Sequence, residues 1–368
     1  MPANLPSRRD FTRFMLGAAA LPFWEPFACD RRRPGGQRQL GFALVGLGSL
    51  STNQIAPALE KTRFCRLAGI VTGSPSKAEE WKARYDIPDD GVYSYETMGR
   101  MADNPAIDVA YIVTPNALHA EHTIAAARAG KHVLCEKPME VSVEKCEQMI
   151  AECERADRQL MIGYRCRFEP HHVECVRLAR EEVFGAVRMV NAGFGFTIGD
   201  PAQWRLNHEL AGGGPLMDVG VYALQAARML AAEEPVLVTA VESKTDPVKF
   251  RSVEESMAFQ LTFPSGVIAS CLTSYNAQGM NFFSAHAGRG AFGLNPAYGY
   301  SGIEGWRSDG QELRFEPVDH FATEMDDFAQ CILEDRPTSM PGEEGLRDVR
   351  IMMAIYEAAR SGSAVRLG

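Results

Sequence analysis

The chain has 368 residues, a length that suits two domains, and its 46% apolar and 23% charged residues allow a core of ordinary globular size. A net charge of −9 argues against nucleic acid as a partner, which requires a basic face, and no apolar run reaches the roughly 18 residues of a membrane-spanning helix. The nine cysteines are odd in number and contain no Cys-x-x-Cys pair, so they read as small apolar fillers, and no metal site is expected.

The first residues read as an export signal. Ser7-Arg8-Arg9-Asp10-Phe11 precedes an uncharged stretch from Phe14 to Trp24, and the paired arginines with Phe11 match the twin-arginine type. A disordered basic tail is the alternative. Cleavage is expected between Phe27 and Gln39, and Pro26-Phe27-Ala28 before Cys29 is a poor lipoprotein match. Reduced thiols and this signal together imply folding in the cytoplasm and export, already folded, to the periplasm. Residues 28–39 form an aperiodic arm containing Arg31-Arg32-Arg33-Pro34-Gly35-Gly36.

A globular pattern begins at Leu40. Gly41 to Val45 is a short apolar strand, Gly46 to Ser51 a turn, and Thr52 to Lys61 a helix disturbed by Pro57. Strands follow at 66–71, 106–113, 133–135 and 160–163, alternating with helices at 76–85, 119–129 and 143–156. That alternation predicts βαβ units and a parallel sheet. After about residue 165 the pattern changes. A helix at 170–182 leads into strands at 187–196, 236–244, 256–263, 267–275, 282–287 and 291–295, which predict an antiparallel sheet, and helices at 323–333 and 346–360 close the chain.

The motifs fall at strand ends. Gly46-x-Gly48 follows a strand and opens a helix, where glycine lets a backbone approach a pyrophosphate. Ser51 stands where a third glycine or alanine is usual. The second strand ends Val71-Thr72-Gly73-Ser74 with Lys77 close by. Hydroxyls and a cation without a carboxylate suit a 2′-phosphate, so NADP is the expected cofactor, unless Lys77 is only a solvated helix residue. Thr114-Pro115-Asn116 ends the third strand, and Asn116 is placed to touch the cofactor; His119 either does the same or is a cap or packing residue. Glu136-Lys137-Pro138 ends the fourth, where a lysine can lie beside a nicotinamide ring. Asp218 and Tyr222, four apart on a helix, share one face after a mobile lead-in, Gly212-Gly213-Gly214. A free phenol is a poor base at neutral pH, and an ammonium beside it would make it more acidic; Lys137 is the candidate. Taken alone, Tyr222 reads equally as a half-buried aromatic.

Together, Gly46-x-Gly48, Thr114-Pro115-Asn116-x-x-His119, Glu136-Lys137-Pro138 and Gly212-Gly213-Gly214-x-x-x-Asp218 resemble the Gfo/Idh/MocA oxidoreductases. Within them, Ile162 to Cys166, Asp200-Pro201-Ala202, Gln203 to Leu206 and Pro341 to Gly345 resemble the glucose-fructose oxidoreductase group, and Tyr222 replaces the histidine of many relatives. The resemblance covers residues 40–366. It implies an α/β Rossmann domain at 40–164 after an N-terminal segment of 1–39. An α+β domain with an open, largely antiparallel sheet follows at 165–368, with assembly into a dimer or tetramer through that sheet. It further implies tightly held NADP, contacted by Ser49 and Leu50 in the glycine turn and by Glu136, Arg165, Trp204, Arg205 and Tyr300, although Arg205 could simply pair with a carboxylate and Trp204 could be core. Lys137 and Tyr222 would be the catalytic pair with Asp218 in support, and Tyr164 would join them around the substrate.

The implied reaction oxidises an aldopyranose at C1 to the lactone and passes hydride to a second sugar, a ketose or another aldose. Asn207-His208 and the stretch 279–298 depart from the group's pattern, which leaves the acceptor open. An exported NAD(P)-dependent glycosidase and a non-enzymatic nucleotide-bound sugar sensor share the same fold expectations.

Overall fold

The computed structural model describes residues Arg38–Gly368; the export segment, Cys29 and the arginine-rich run of the arm lie outside the described residues. Six apolar runs form the first sheet: β1 (Leu40–Val45), β2 (Cys65–Val71), β3 (Val92–Tyr93), β4 (Val109–Ile112), β5 (His132–Glu136) and β6 (Leu160–Gly163). Every pair is parallel, in the order β3-β2-β1-β4-β5-β6. Parallel strands buried on both faces need helical crossovers, supplied by α1 (Ala56–Leu59), α2 (Pro75–Tyr85), α3 (His119–Arg128) and α4 (Val143–Arg155). The strand order reverses between β1 and β4, so the carboxyl ends of those strands flank the crevice where such sheets bind ligands.

The helix after β1 departs from the simple run expected at 52–61. Ser51–Ile55 is π-helical, with the Ala56 amide bonded to the Ser51 carbonyl, before α1 resumes the normal ladder. Pro57 has no N–H to offer residue 53 and its ring crowds that carbonyl; the wider turn absorbs both.

The second half begins with α5 (Pro170–Arg180) and β7 (Val187–Gly195). It continues through α6 (His208–Ala211) and α7 (Val221–Ala231) to β8 (Leu237–Ser243), β9 (Ser256–Thr262), β10 (Ile268–Ser274), β11 (Asn281–Ala287), β12 (Gly290–Leu294) and β13 (Gly305–Arg307). Two helices, α8 (His320–Leu333) and α9 (Gly342–Ser361), precede a last short strand, β14 (Val365–Arg366). The sheet order is β13-β12-β11-β7-β10-β9-β8-β14, antiparallel throughout except for β7 with β10. That exception has a geometric cause. β7 lies between β10 and β11, two strands that run in opposite directions, so it must be parallel to one of them.

The helices α7 and α9 pack on one face of this sheet. The other face carries an uncovered row, Val241, Ala258 and Leu272, directly paired across three strands, with Ile268 beside Met189 two rows away on the same face. The spacing of Asp218 and Tyr222 suggests a helix but does not bound it, because nearly all residues of α7 are buried and no polar stripe reveals a period. α8 starts at His320, three residues before the expected boundary, because the Asp319 side chain caps the Ala322 amide.

The eight cysteines among the described residues, four in the first half and four in the second, are all free and buried. Among the described residues no helix is long and apolar enough to cross a membrane, and no cluster of three His, Cys, Asp or Glu side chains could hold a metal.

Candidate active site

The glycine turn is shaped for close approach. Gly46 has φ +98°, and a Cβ there would sit 2.9 Å from the Val113 carbonyl oxygen. At Gly48 an added Cβ would meet nothing within 4 Å, so the backbone faces open space at the mouth of the crevice. Ser51, in the third fingerprint position, donates its hydroxyl to the Gly46 carbonyl at 2.5 Å and fixes the turn from below. Ser49 accepts from Asn53 at 3.0 Å, and Leu50 is half-buried beside it.

At the end of β2, Thr72 accepts from the Ser74 amide at 3.2 Å, Ser74 caps α2 through the Lys77 amide at 3.4 Å, and the Lys77 ammonium reaches back to the Leu47 carbonyl at 3.0 Å. Lys77 is therefore not a freely solvated helix residue. Two hydroxyls and an ammonium stand at the rim of the glycine turn with no carboxylate among residues 72–78. This set fits a phosphorylated ribose.

Three residues that the strand ends place near the cofactor make internal ties, and for His119 this is the packing alternative. Asn116 is buried and donates its amide to the Ala211 carbonyl at 2.9 Å, joining the end of β4 to α6. His119 is buried, with Nε2 2.8 Å from the Thr114 carbonyl and Nδ1 3.0 Å from that of Pro138, so it laces the ends of β4 and β5 together. Thr114 spends its hydroxyl on His122 Nδ1 at 3.0 Å. Each was placed at a strand end by its spacing; the direction of the side chain was set by packing that spacing does not encode.

Burial depresses His119 from its ordinary 6.5 to about 4, against the pull of the Thr114 and Pro138 carbonyls. The unfolded chain therefore binds a proton between pH 6.5 and 4 that the folded chain refuses, and this contribution to stability is lost as pH falls through that window. Relative to His119→Gln, wild-type stability should drop by roughly 3 kcal/mol between pH 7 and 4 in paired urea titrations. A pH-independent difference between the two proteins would show that His119 is not held neutral.

The amine and the phenol converge. Lys137 Nζ, at the end of β5, donates to the Asp218 carbonyl at 2.6 Å, lies 3.4 Å from Asp218 Oδ1 and stands 4.8 Å from the ring centre of Tyr222. Asp218 sits in a π-helical turn, Leu216–Gly220, and Tyr222 on the first turn of α7. Asp218 Oδ2 accepts from Arg205 Nε and from the Tyr275 hydroxyl, both at 2.9 Å. Burial works to raise the Asp218 carboxyl, but Arg205 and Lys137, with the Tyr275 hydrogen bond, bring it down to about 2. It is an anion at every physiological pH. Arg205 thus pairs with a carboxylate, and its guanidinium also covers the Trp204 ring at 4.6 Å.

The triple glycine is a tight crossing rather than a mobile lead-in. A Cβ on Gly213 would fall 1.9 Å from the Tyr356 hydroxyl, and one on Gly214 would fall 2.3 Å from the Glu254 carbonyl oxygen. Glu254 accepts from the Gly214 and Leu216 amides at 2.8 and 3.0 Å and so anchors the segment carrying Asp218.

Arg165 lies against the rings of the site and is tied to the backbone that carries Tyr298 and Gly299. It is buried, donates to the carbonyls of Tyr298 at 2.6 Å and Gly299 at 3.1 Å, and lies 4.7 Å from the ring centre of Tyr300 and 5.1 Å from that of Tyr222. The Tyr222 phenol is raised above its ordinary value, chiefly by burial, with Arg165 the principal opposing charge. The expectation that Lys137 makes this phenol more acidic is therefore corrected: the ammonium sits over the ring face, and desolvation wins. Tyr164 is also redirected. Its hydroxyl donates to Asp348 at 2.7 Å, inside a buried cluster with Gln225 and Arg228, although its ring still borders the small space behind Lys137 and Tyr222. Tyr300 remains about half exposed at the site's edge, and Glu136 is buried beneath Lys137.

Sequence reasoning missed Tyr275 and Tyr298. Tyr298 packs 5.5 Å from Tyr222 and 5.1 Å from Phe194, ring centre to ring centre. Tyr275 follows directly on β10, and nothing in its local sequence links it to Asp218, 57 residues earlier.

Residues 40–164 match the oxidoreductase family with an NAD-binding Rossmann fold, and residues 172–292 match the GFO/IDH/MocA C-terminal domain. The chain belongs to the Gfo/Idh/MocA oxidoreductase family. Among its relatives in the family is D-xylose 1-dehydrogenase [NADP(+)] of Haloarcula marismortui, 34% identical over 334 residues that cover 89% of this chain and 92% of that protein. D-xylose 1-dehydrogenase (NADP(+)) 2 of Haloferax volcanii is 30% identical over 89% of this chain and 99% of its own. The crystal structure of aldose-aldose oxidoreductase from Caulobacter crescentus complexed with glycerol superposes with a TM-score of 0.87 at 46% identity, covering 90% of this chain and all of that one.

Proposed function

We propose that this family member is an NADP-dependent sugar oxidoreductase. It oxidises an aldopyranose at C1 to the aldonolactone and returns the hydride to a second sugar, a ketose or another aldose, without releasing its nucleotide. The observation that carries this reading is the Lys137 ammonium held between Asp218 and the ring of Tyr222 at the carboxyl end of β5. The NADP-linked xylose dehydrogenases and the aldose-aldose oxidoreductase among its relatives support the substrate class and the cofactor.

The glycine turn with Thr72, Ser74 and Lys77 would hold the nucleotide, which supplies the acceptor and donor of hydride. The protein supplies the proton chemistry. Tyr222 takes the proton of the C1 hydroxyl during oxidation and returns it to the alkoxide oxygen of the second sugar. An anomeric hydroxyl is itself a very weak acid. A phenol raised above its ordinary value is protonated at neutral pH, so it is set to give its proton to the alkoxide of the second sugar, and the phenolate it leaves takes the C1 hydroxyl proton in the next oxidation. Asp218, fixed as an anion, holds Lys137 in place, and Arg205 and Trp204 offer a planar stacked surface.

We further infer export in the folded state, since a retained nucleotide serves a compartment without free NADP, and assembly through the uncovered row of Val241, Ala258 and Leu272.

The test adds no nucleotide. Purified protein is denatured to identify any nucleotide it carries, and native protein is incubated with glucose, with and without fructose. NADP release, with gluconolactone and sorbitol from the mixture, supports transfer to a ketose. Gluconolactone and sorbitol from glucose alone support transfer between aldoses. Absence of lactone from both, with activity restored by added NADP, would show that the nucleotide exchanges and would remove the two-sugar cycle.

A further inference from the structure

Beneath Lys137 lies a buried group of side chains that the proposed chemistry does not use. Tyr111 on β4 is fully buried, and its hydroxyl lies 2.8 Å from Glu136 Oε1 and 3.4 Å from Glu324 Oε2. Glu324, on the first turns of α8, is itself 0% exposed, and its other oxygen has no hydrogen-bond partner. Glu136 Oε2 accepts from the backbone amide of Lys137 at 3.3 Å.

Counting hydrogens decides the arrangement. A phenol has one hydrogen to donate, and two carboxylates cannot both receive it. The shorter contact, to Glu136, takes it. The longer contact then places the phenol oxygen opposite Glu324, where an ionised carboxylate would face a lone pair in a site closed to water. A protonated Glu324 resolves the contact by donating to that oxygen.

The surroundings agree. Burial and the neighbouring Glu136 push Glu324 well above the ordinary carboxyl range, against the charge of Arg165 and the Tyr111 hydrogen bond. Burial also raises Glu136, which has Lys137 as its strongest opposing charge. Other titratable groups around this space are Cys166, Tyr222 and Tyr300 and, on the same helix, His320, whose Nδ1 accepts from Arg165 at 3.2 Å and so carries no proton there.

We propose that Glu324 is a neutral carboxylic acid that donates to Tyr111, which donates to the Glu136 carboxylate, so that the chain of three fixes the backbone of Lys137 at the reaction site. Glu324 and Tyr111 are positioning residues for that lysine. Two buried carboxyl groups thereby carry one negative charge, and α8 reports to the end of β5 through a single proton. The positional role rests on the proposed function of Lys137; the protonation state does not.

Glu324→Gln replaces the neutral acid with a neutral amide that can still donate to Tyr111. The holoenzyme carrying it should keep kcat and KM within about twofold of wild type. Glu324→Leu and Tyr111→Phe break the chain and should each lower kcat by about tenfold or more with little change in sugar KM. An infrared difference spectrum of wild type minus Glu324→Gln at pH 7 gives a readout independent of turnover and of whether the leucine variant folds. It should contain a carboxylic-acid carbonyl stretch that shifts in D2O. A carboxylate band in its place would overturn the proposal, as would a glutamine variant as impaired as the leucine one. Were the acid band present but Lys137→Ala fully active, the protonation assignment would stand and the catalytic reading of Lys137 would fall.

Discussion

Tyr222→Phe should lower turnover by roughly 10²–10⁴ while the protein folds, melts and retains nucleotide as wild type does. The change removes one oxygen. The ring keeps its contacts with Lys137 at 4.8 Å and with Phe194 and Tyr298, both at 5.5 Å, so the packing of α7 on the sheet is preserved. What disappears is the group that exchanges a proton with the sugar. Loss should therefore appear in kcat with KM little altered, measured alongside the nucleotide content of denatured protein. Normal turnover in this variant would refute the role assigned to the phenol.

Lys137→Ala should slow the oxidative and the reductive half-reactions alike, by roughly 10²–10³ each in single-turnover measurements. Its ammonium makes the 2.6 Å bond to the Asp218 carbonyl and the only ion pair from the first sheet to that carboxylate among the described residues. Removal does not leave Asp218 as a bare buried charge, because Arg205 and Tyr275 still hold its other oxygen at 2.9 Å. The variant should consequently fold, and its defect should be chemical. Adding Asp218→Asn should cost less in the Lys137→Ala background than in wild type, since the two side chains act as one unit. A change in sugar KM alone would reduce Lys137 to a binding contact.

The first sheet was legible because its strands are short apolar runs separated by helical periods, and because Gly46 and Lys137 stand at strand ends where such sheets bind ligands. Convergence of Lys137 with Asp218 was inferable from the family resemblance but not from spacing, since 81 residues separate them. Side-chain direction was less accessible. Asn116, His119 and Tyr164 carry groups suited to ligand contact, yet each is consumed by an internal hydrogen bond whose partner lies elsewhere in the chain. The glycines at 212–214 suggested freedom, whereas Tyr356 and Glu254, arriving from α9 and from the segment before β9, make them a requirement of contact. Glu254 and Glu324 gave no local signal at all: a lone acidic residue reads as solvated surface until the fold encloses it. The π turn at 216–220 was equally hidden, because a widened turn leaves the same residues four apart in number.

The even scatter of enclosed thiols gives the molecule a built-in clock for its own opening. Cys65, Cys135, Cys146 and Cys153 belong to the first half, and Cys166, Cys175, Cys271 and Cys331 to the second. An alkylating reagent finds none of these sulfurs until the surrounding core parts, so the order in which peptides acquire the label tells which half loosens first. The same enclosure keeps oxidants and mismatched crosslinks away from the chain for as long as it stays closed.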